Sequence, residues 1–300
     1  MDWRRIRKWV CVVAGIGTAI LLIASWVLGG MLIASANRPV GSPPTDFPAQ
    51  AITIASHSGS TLAAWYLEVP DAEATVLLLH PIRSDRRSML SRAKLFHQRG
   101  YSTLLVDMQG HGESQGENIT IGHLEKHDVA ACVQHIQSVS PNNKIAIVGW
   151  SLGGAAALLS NSKVDVLVLE SVYPNVTQAI HNRVEMRLGF LHHIVGPLLV
   201  YQLNPRLGIS PDDLSPIQQL QNLSCPVLVA SGSEDLHTTV DETRRIFEAA
   251  KEPKQLVVFD GASHEDLLAF DPKKYEQEVL GFMEASLGIQ PPGRAVSTED

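Results

Sequence analysis

"IVGWSLGGAAALL", Ile147 to Leu159, sets a serine between two glycines, with an apolar run before it and a run of small residues after it. A serine hydroxyl is a poor nucleophile at neutral pH. It becomes useful only with a base in reach, a group that orients the base, and donors for the oxyanion. The order strand, G-x-S-x-G, helix raises a serine on a sharp turn. The glycines have a steric reason: side chains at Gly149 and Gly153 would collide with the neighbouring strand and helix. Gly154 and Ala155 to Ala157 let the helix pack close to the sheet. The same letters also fit a serine that only caps the next helix. Whether the rest of the chain supplies partners for Ser151 decides between the two.

Around this stretch, short apolar runs alternate with helical patterns. "TVLLLH" (75–80), "TLLVDM" (103–108), "KIAIVGW" (144–150), "DVLVLE" (165–170), "PVLVASG" (226–232) and "QLVVFDG" (255–261) are continuous rather than alternating. A parallel sheet covered on both faces requires such runs. "AITIAS" and "TLAAWYLEV" come first and predict an antiparallel edge hairpin with Ser58-Gly59-Ser60 in its turn. Helical patterns fill 87–99, 121–139, 152–161, 238–250 and 273–286. The alternation predicts an α/β, doubly wound, mostly parallel sheet. Residues 172–222 hold no strand-like run. They predict a helical lid inserted near the carboxyl ends of two late strands.

The partners follow in order. "ASGSEDLHTT" places Asp235 just past one buried strand, and "VFDGASHEDLL" places His264 just past the next. In this arrangement Ser151 attacks a carbonyl, His264 takes and returns the proton, and Asp235 fixes the imidazole tautomer. Glu234, Asp260 and Asp266 compete for the carboxylate role, and Asp235 also suits a cap for the helix near Thr238. Leu152, after the nucleophile at a helix N-terminus, offers one oxyanion N–H. The second belongs to the loop after "TVLLLH"; Pro81 has no N–H, which leaves Ile82.

"LLLHPIRSDRRSML", "GYSTLLVDMQGHGESQGE", "GWSLGG", "CPVLVASGSEDLHTT" and "GASHEDLL" together resemble the α/β-hydrolase superfamily, most of all its serine-aminopeptidase-like and lysophospholipase-like esterase branch. The likeness spans roughly residues 50–287. It implies the triad Ser151, Asp235 and His264, an oxyanion hole at Ile82 and Leu152, and no metal or organic cofactor. Pro81 departs from the family, which usually has a glycine after the histidine.

The N-terminus stands apart. Arg4, Arg5, Arg7 and Lys8 precede Val10 to Ala36, which has no charged side chain. That is long enough to cross a bilayer and longer than a secretory signal's apolar stretch, although Ala34-Ser35-Ala36 has the form of a cleavage site. The reading is a single-pass anchor over 1–37 contacting the membrane through residues 10–36. The basic flank keeps the N-terminus cytoplasmic and puts the catalytic domain on the other side. Residues 38–50, rich in Pro and polar side chains, read as a linker, 51–287 as one α/β domain, and 288–300 as a flexible tail. Residues 40–300 carry 19 Lys and Arg against 30 Asp and Glu, a net of −11. Such a surface repels phosphate backbones and argues against nucleic acid. The three cysteines show no disulfide or metal spacing.

Weaker signals have plain readings. Gly110 and Gly112 shape the loop after a strand, and His111 there reads as part of that loop or as pocket lining. His123, His127 and Asp128 read as a solvated helix face. Arg83, Arg86 and Arg87 read as a solvated helix start, or as contacts to an acidic substrate group. His192 and His193 read as lid surface. The functional expectation is a membrane-anchored serine hydrolase cleaving carboxylic esters or thioesters of a small-molecule or lipid-like acyl substrate through an acyl-enzyme. The alternatives are an aminopeptidase or acyltransferase on the same triad, or a non-catalytic binding protein of the same fold.

Overall fold

The continuous apolar runs become the middle of one sheet because both of its faces are covered. In the computed structural model, which describes residues 3–289, eight strands lie side by side: β1 (Gln50–Ala55), β2 (Thr61–Leu67), β3 (Ala74–Leu79), β4 (Ser102–Val106), β5 (Lys144–Trp150), β6 (Val166–Glu170), β7 (Val227–Gly232) and β8 (Lys254–Phe259). Their order is β8-β7-β6-β5-β3-β4-β2-β1. All pairings are parallel except those of β2, which runs antiparallel to both β1 and β4. The first hairpin is therefore an edge device, and β3 to β8 are wound through crossover helices.

The pleat sorts the core into two halves. Leu77, Leu79, Val106 and Ile147 face α3 (Glu125–Val139) and α4 (Leu152–Ser160). Val76, Leu78, Leu105 and Val148 face α2 (Leu90–Gln98) and the C-terminal helical segments that end with Gly281–Leu287. Helix starts move from the sequence expectation where side chains build a turn first. Asp85 caps a short 3-10 turn, Arg86–Met89, ahead of α2. The Glu125 carboxylate gathers the N–H groups of Thr120 and Gly122 before α3.

Between β6 and β7 the chain forms α5 (Val176–Leu188), α6 (His192–Tyr201) and α7 (Leu203–Leu207). This is the strand-free insertion. It lies beyond the carboxyl ends of the strands, where β3 and β5 send their connections in opposite directions, the usual place for a site in such sheets. From α8 (Val240–Ala249) the chain returns to β8.

The N-terminal apolar segment forms one helix, α1 (Trp3–Ile33), with only Ser25 and Gly29 buried. Among the described residues it is the one helix long and apolar enough to cross a membrane. Its C-terminal half leans on the insertion. Leu21 and Leu28 meet Val184, Val195 and Leu199, Gln202 Nε2 donates to the Ser25 carbonyl at 3.1 Å, and Arg206 lies 3.9 Å over the Trp26 ring. Ala36 and Asn37 then pair with His111 and Gly112. Residues 38–50, expected as a linker, cross the domain surface with Phe47 buried in the core and the N–H groups of Val40 and Gly41 held by Glu113. Of the expected tail, 290–300 lie outside the described residues.

Candidate active site

Ser151 sits between β5 and α4 with φ +52° and ψ −112°, a backbone conformation a non-glycine residue adopts only under constraint. Close packing supplies that constraint. A Cβ on Gly149 would strike Gly154, and one on Gly153 would strike the carbonyl of Leu79 in β3. The Ser151 N–H donates to the Glu170 carbonyl at 2.8 Å, tying the turn to β6. Its hydroxyl is buried and has no hydrogen-bond partner among the described residues.

Asp235 and His264 come together from the loops after β7 and β8. His264 Nδ1 lies 2.8 Å from Asp235 Oδ2. The carboxylate can only accept, so Nδ1 carries a proton, and in the neutral ring Nε2 keeps its lone pair. Asp235 also accepts from the N–H groups of His237 (2.8 Å) and Thr238 (2.9 Å) and from the Thr238 hydroxyl (2.8 Å). It both organises the turn before α8 and faces the imidazole; the cap of α8 is Thr239. Burial raises the Asp235 pKa, but the His264 and Thr238 donors outweigh it, and the carboxyl titrates below its ordinary value. The other carboxylates are engaged elsewhere or exposed: Asp260 accepts from Ser233, Asp266 pairs with Arg92 at 2.9 Å, and Glu234 is exposed. Ser151 and His264 are not hydrogen-bonded to each other. The His264 ring stands 6.5 Å, centre to centre, from that of Trp150, the residue before the serine.

His237 was not singled out from sequence. Its ring stacks on that of His264 at 4.7 Å and 27°. Burial, then the neighbouring His264, pull its pKa to about 4, so an uncharged ring backs the imidazole. No local pattern announces a stack between residues 27 positions apart.

The loop after β3 is set by His80. Its Nε2 accepts the Met108 N–H at 3.1 Å, and its Nδ1–H donates to the Pro81 carbonyl at 2.8 Å. Burial holds it neutral, with a pKa of about 4. With the Pro81 carbonyl turned back, the next N–H is that of Ile82, which no loop acceptor takes. Ile82 and Leu152 line the same cavity as Ser151. Leu152 opens α4, so its N–H has no partner within the helix.

Several weaker readings are corrected. Arg86 is buried and pairs with Asp107 and Glu113, so it is not a solvated cation; Arg83, which donates to the carbonyls of Met31, Leu32 and Ala34, and Arg87, which pairs with Asp85, are exposed as expected. Asp128 is buried and takes the hydroxyls of Ser56 and Ser58 at 2.6 Å each, so it fastens the first hairpin to α3 instead of lying on a wet face. His111 is buried beside His80, with ring centres 4.9 Å apart, and does not line the cavity. Among the described residues no His, Cys, Asp and Glu group is arranged to hold a metal ion.

The cavity in front of Ser151 is walled by α5, α6, α7 and the end of α1. Ile121, Val176, Ile180, Leu199 and Leu203 line it, with Gly29, Leu32 and Ile33 contributed by α1. Its polar side chains are Ser151, Gln202, Tyr173, Arg183 and Arg206, and it contains no carboxylate.

Comparison with known proteins agrees with this architecture. The family model described as serine aminopeptidase matches residues 70–199, from β3 into α6. The uncharacterized protein YqkD of Bacillus subtilis is 22% identical over 240 residues, covering 78% of this chain and 79% of that protein. The uncharacterized membrane protein YNL320W of Saccharomyces cerevisiae is 26% identical over 168 residues, covering 53% of this chain and 56% of that one. Among solved structures, the Pyrococcus furiosus esterase Pf2001 superposes with a TM-score of 0.69 at 21% identity, covering 85% of this chain and 100% of that chain.

Proposed function

For a chain that is by fold an α/β hydrolase and is similar in sequence to the serine aminopeptidases, we propose the activity of a membrane-anchored serine hydrolase that cleaves carboxylic esters of apolar acyl groups. The observation that carries the reading is the buried, unpartnered Ser151 hydroxyl on a turn of positive φ, opening on a cavity walled by apolar side chains.

In this reading His264 Nε2 reaches the Ser151 hydroxyl when substrate binds; such bonds are often long until then. Nε2 takes the proton as Oγ adds to the ester carbonyl. The carbonyl oxygen becomes an oxyanion held by the N–H groups of Ile82 and Leu152. The C–O bond to the alcohol breaks as His264 returns the proton to it, leaving the acyl group on Ser151. Water, activated by the same nitrogen, repeats the sequence and frees the acid. Asp235 keeps Nδ1 protonated and balances the imidazolium as it forms.

The apolar wall favours an acyl group over a peptide, and the absence of a lining carboxylate leaves nothing to receive the ammonium an aminopeptidase must bind. Helix α1 serves as the anchor, its basic start on the cytoplasmic side and the catalytic domain on the other. A fluorophosphonate probe applied to the full chain in detergent should label Ser151, and Ser151→Ala should lose both labelling and hydrolysis of 4-nitrophenyl butyrate. Folded protein that neither labels nor hydrolyses defeats the proposal.

A further inference from the structure

Three arginines of the domain are each matched to two carboxylates: Arg86 to Asp107 and Glu113, Arg92 to Glu170 and Asp266, Arg99 to Glu276 and Glu284. The two that line the cavity are not. Arg183, on α5, donates from Nη1 to the Ala179 carbonyl of its own helix at 3.0 Å and makes no ion pair among the described residues. The acids whose charge reaches it are committed elsewhere: Asp235 to His264 and Thr238, Glu242 to Asn182 and Thr239. Burial lowers the Arg183 pKa, the signature of a cation short of compensation. Arg206, on α7, lies over the Trp26 ring and donates from Nε to Gln202 Oε1 at 2.9 Å. Its Nη2 donates to the Trp26 carbonyl, and it too meets no carboxylate among the described residues. Its Nη1 faces Gly30 of α1.

For Arg183, burial without a counter-charge is costly; Arg206 is partly exposed at the cavity rim, and the guanidinium forks of both suit phosphate and carboxylate oxygens. The rest of the wall is largely apolar. One ligand satisfies both features. We propose that the cavity binds an anionic amphiphile, an acyl ester whose chain lies against α1 and α6 and whose phosphate or carboxylate group is held by Arg183 and Arg206. This rests on the hydrolase reading above and names its substrate class.

The anchor reading puts such molecules within reach. About 20 helical residues cross a bilayer core of about 30 Å, and counted from Lys8 this ends near Leu28. Trp26 then lies at the interface that indoles favour, and Leu32 and Ile33 nearly two turns beyond it, at headgroup level. The ligand enters sideways from the leaflet.

The test uses the full chain in phosphatidylcholine nanodiscs. Dodecyl phosphate, dodecanoate and 1-dodecanol compete against fluorophosphonate labelling, and calorimetric titration with the same three compounds reads binding without a working Ser151. The anions should protect at concentrations at least tenfold below the alcohol. Arg183→Gln and Arg206→Gln should each shrink that ratio at least fivefold; if one variant does not fold, the other reads the same subsite. Dodecyl phosphate outperforming dodecanoate assigns the subsite to phosphate headgroups, and the reverse assigns it to free carboxylates. Equal protection by anions and alcohol, or a ratio indifferent to both substitutions, overturns the subsite while labelling keeps the hydrolase. Absent labelling with the calorimetric ratio intact overturns the hydrolase and keeps the subsite.

Discussion

The guanidinium of Arg83 donates to the carbonyl of Met31 at 3.2 Å, and to those of Leu32 and Ala34 at 3.3 and 3.2 Å. A cation at a helix C-terminus stabilises it by about 0.3–1 kcal/mol. Here it also fixes a loop, because Arg83 has φ +59° and directly follows Ile82. The residue that holds the end of α1 and the proposed oxyanion donor are adjacent in the chain. Arg83→Ala should lower kcat for 4-nitrophenyl butyrate by about tenfold, within the loss that misplacing a catalytic group brings, with KM changed less than twofold. A kcat that does not move would show that the loop keeps its shape without α1.

Asp235→Asn tests the carboxylate. Four donors converge on this side chain. An amide can offer a donor to His264 Nδ1 and so favours the wrong tautomer. The expected fall in kcat is on the order of 10⁴, the size seen when a triad aspartate is neutralised elsewhere, with the melting temperature shifted by a few degrees. Steady-state kinetics on the purified variant checks it; a loss under tenfold would pass the role to another carboxylate.

How legible this was follows the physics of each signal. Strands buried on both faces leave continuous apolar runs, and a crossing of backbones at the Ser151 turn leaves glycines; both are local, so both show in the letters. The loops carrying Asp235 and His264 were placed by counting strands. Arg86, Asp128 and His237 were misread or missed, because their partners are carboxylates, hydroxyls or a ring supplied by segments far along the chain. A polar side chain beside a helix start carries no local mark that it is buried.

Buried neutral histidines set a pH dependence. His80 has a folded pKa of about 4, against 6.5 for the free side chain, because burial disfavours the cation. His111 and His237 are shifted the same way, each to about 4. Protons then bind the unfolded chain more readily between about 6.5 and 4, and stability falls as pH drops through that window. Asp128, raised to about 6 by burial, acts in the opposite sense, losing stability as pH rises from 3.8 to about 6. Asp107 and Glu242, also raised by burial, side with Asp128. The lowered His123, His127 and His135 and the lowered carboxyls of Asp85, Glu113 and Asp235 side with the three histidines, so the balance is a loss of stability in acid. Urea denaturation should give a lower unfolding free energy at pH 4.5 than at pH 7, and His80→Gln should flatten the slope. A steeper slope in that variant would contradict the assignment.

Arg92 is fully buried and bridges two acids: Glu170, whose backbone carbonyl holds the Ser151 N–H, and Asp266, two residues after His264. Removing one member of a buried ion cluster costs about 3–5 kcal/mol, because the other charges stay behind. Arg92→Met should lose that much stability in urea. The double variant with Glu170→Gln should recover part of it. Independent, additive losses would mean the cluster does not act as a unit.

Gly29 marks where α1 meets the insertion. A Cβ there would strike the side chain of Gln202, whose amide holds the Ser25 carbonyl. Gly29→Leu should push α1 away from α6 and α7 and remove Leu32 and Ile33 from the cavity wall. A long acyl chain loses about 1–2 kcal/mol of apolar contact, which is about tenfold in kcat/KM, while a butyryl ester, too short to reach that wall, loses little. The measurement is the ratio of kcat/KM for 4-nitrophenyl laurate to that for the butyrate, in the same nanodiscs. A selective fall makes α1 part of the acyl site. Equal falls for both esters would place the damage in the folded domain, and α1 would be a tether only.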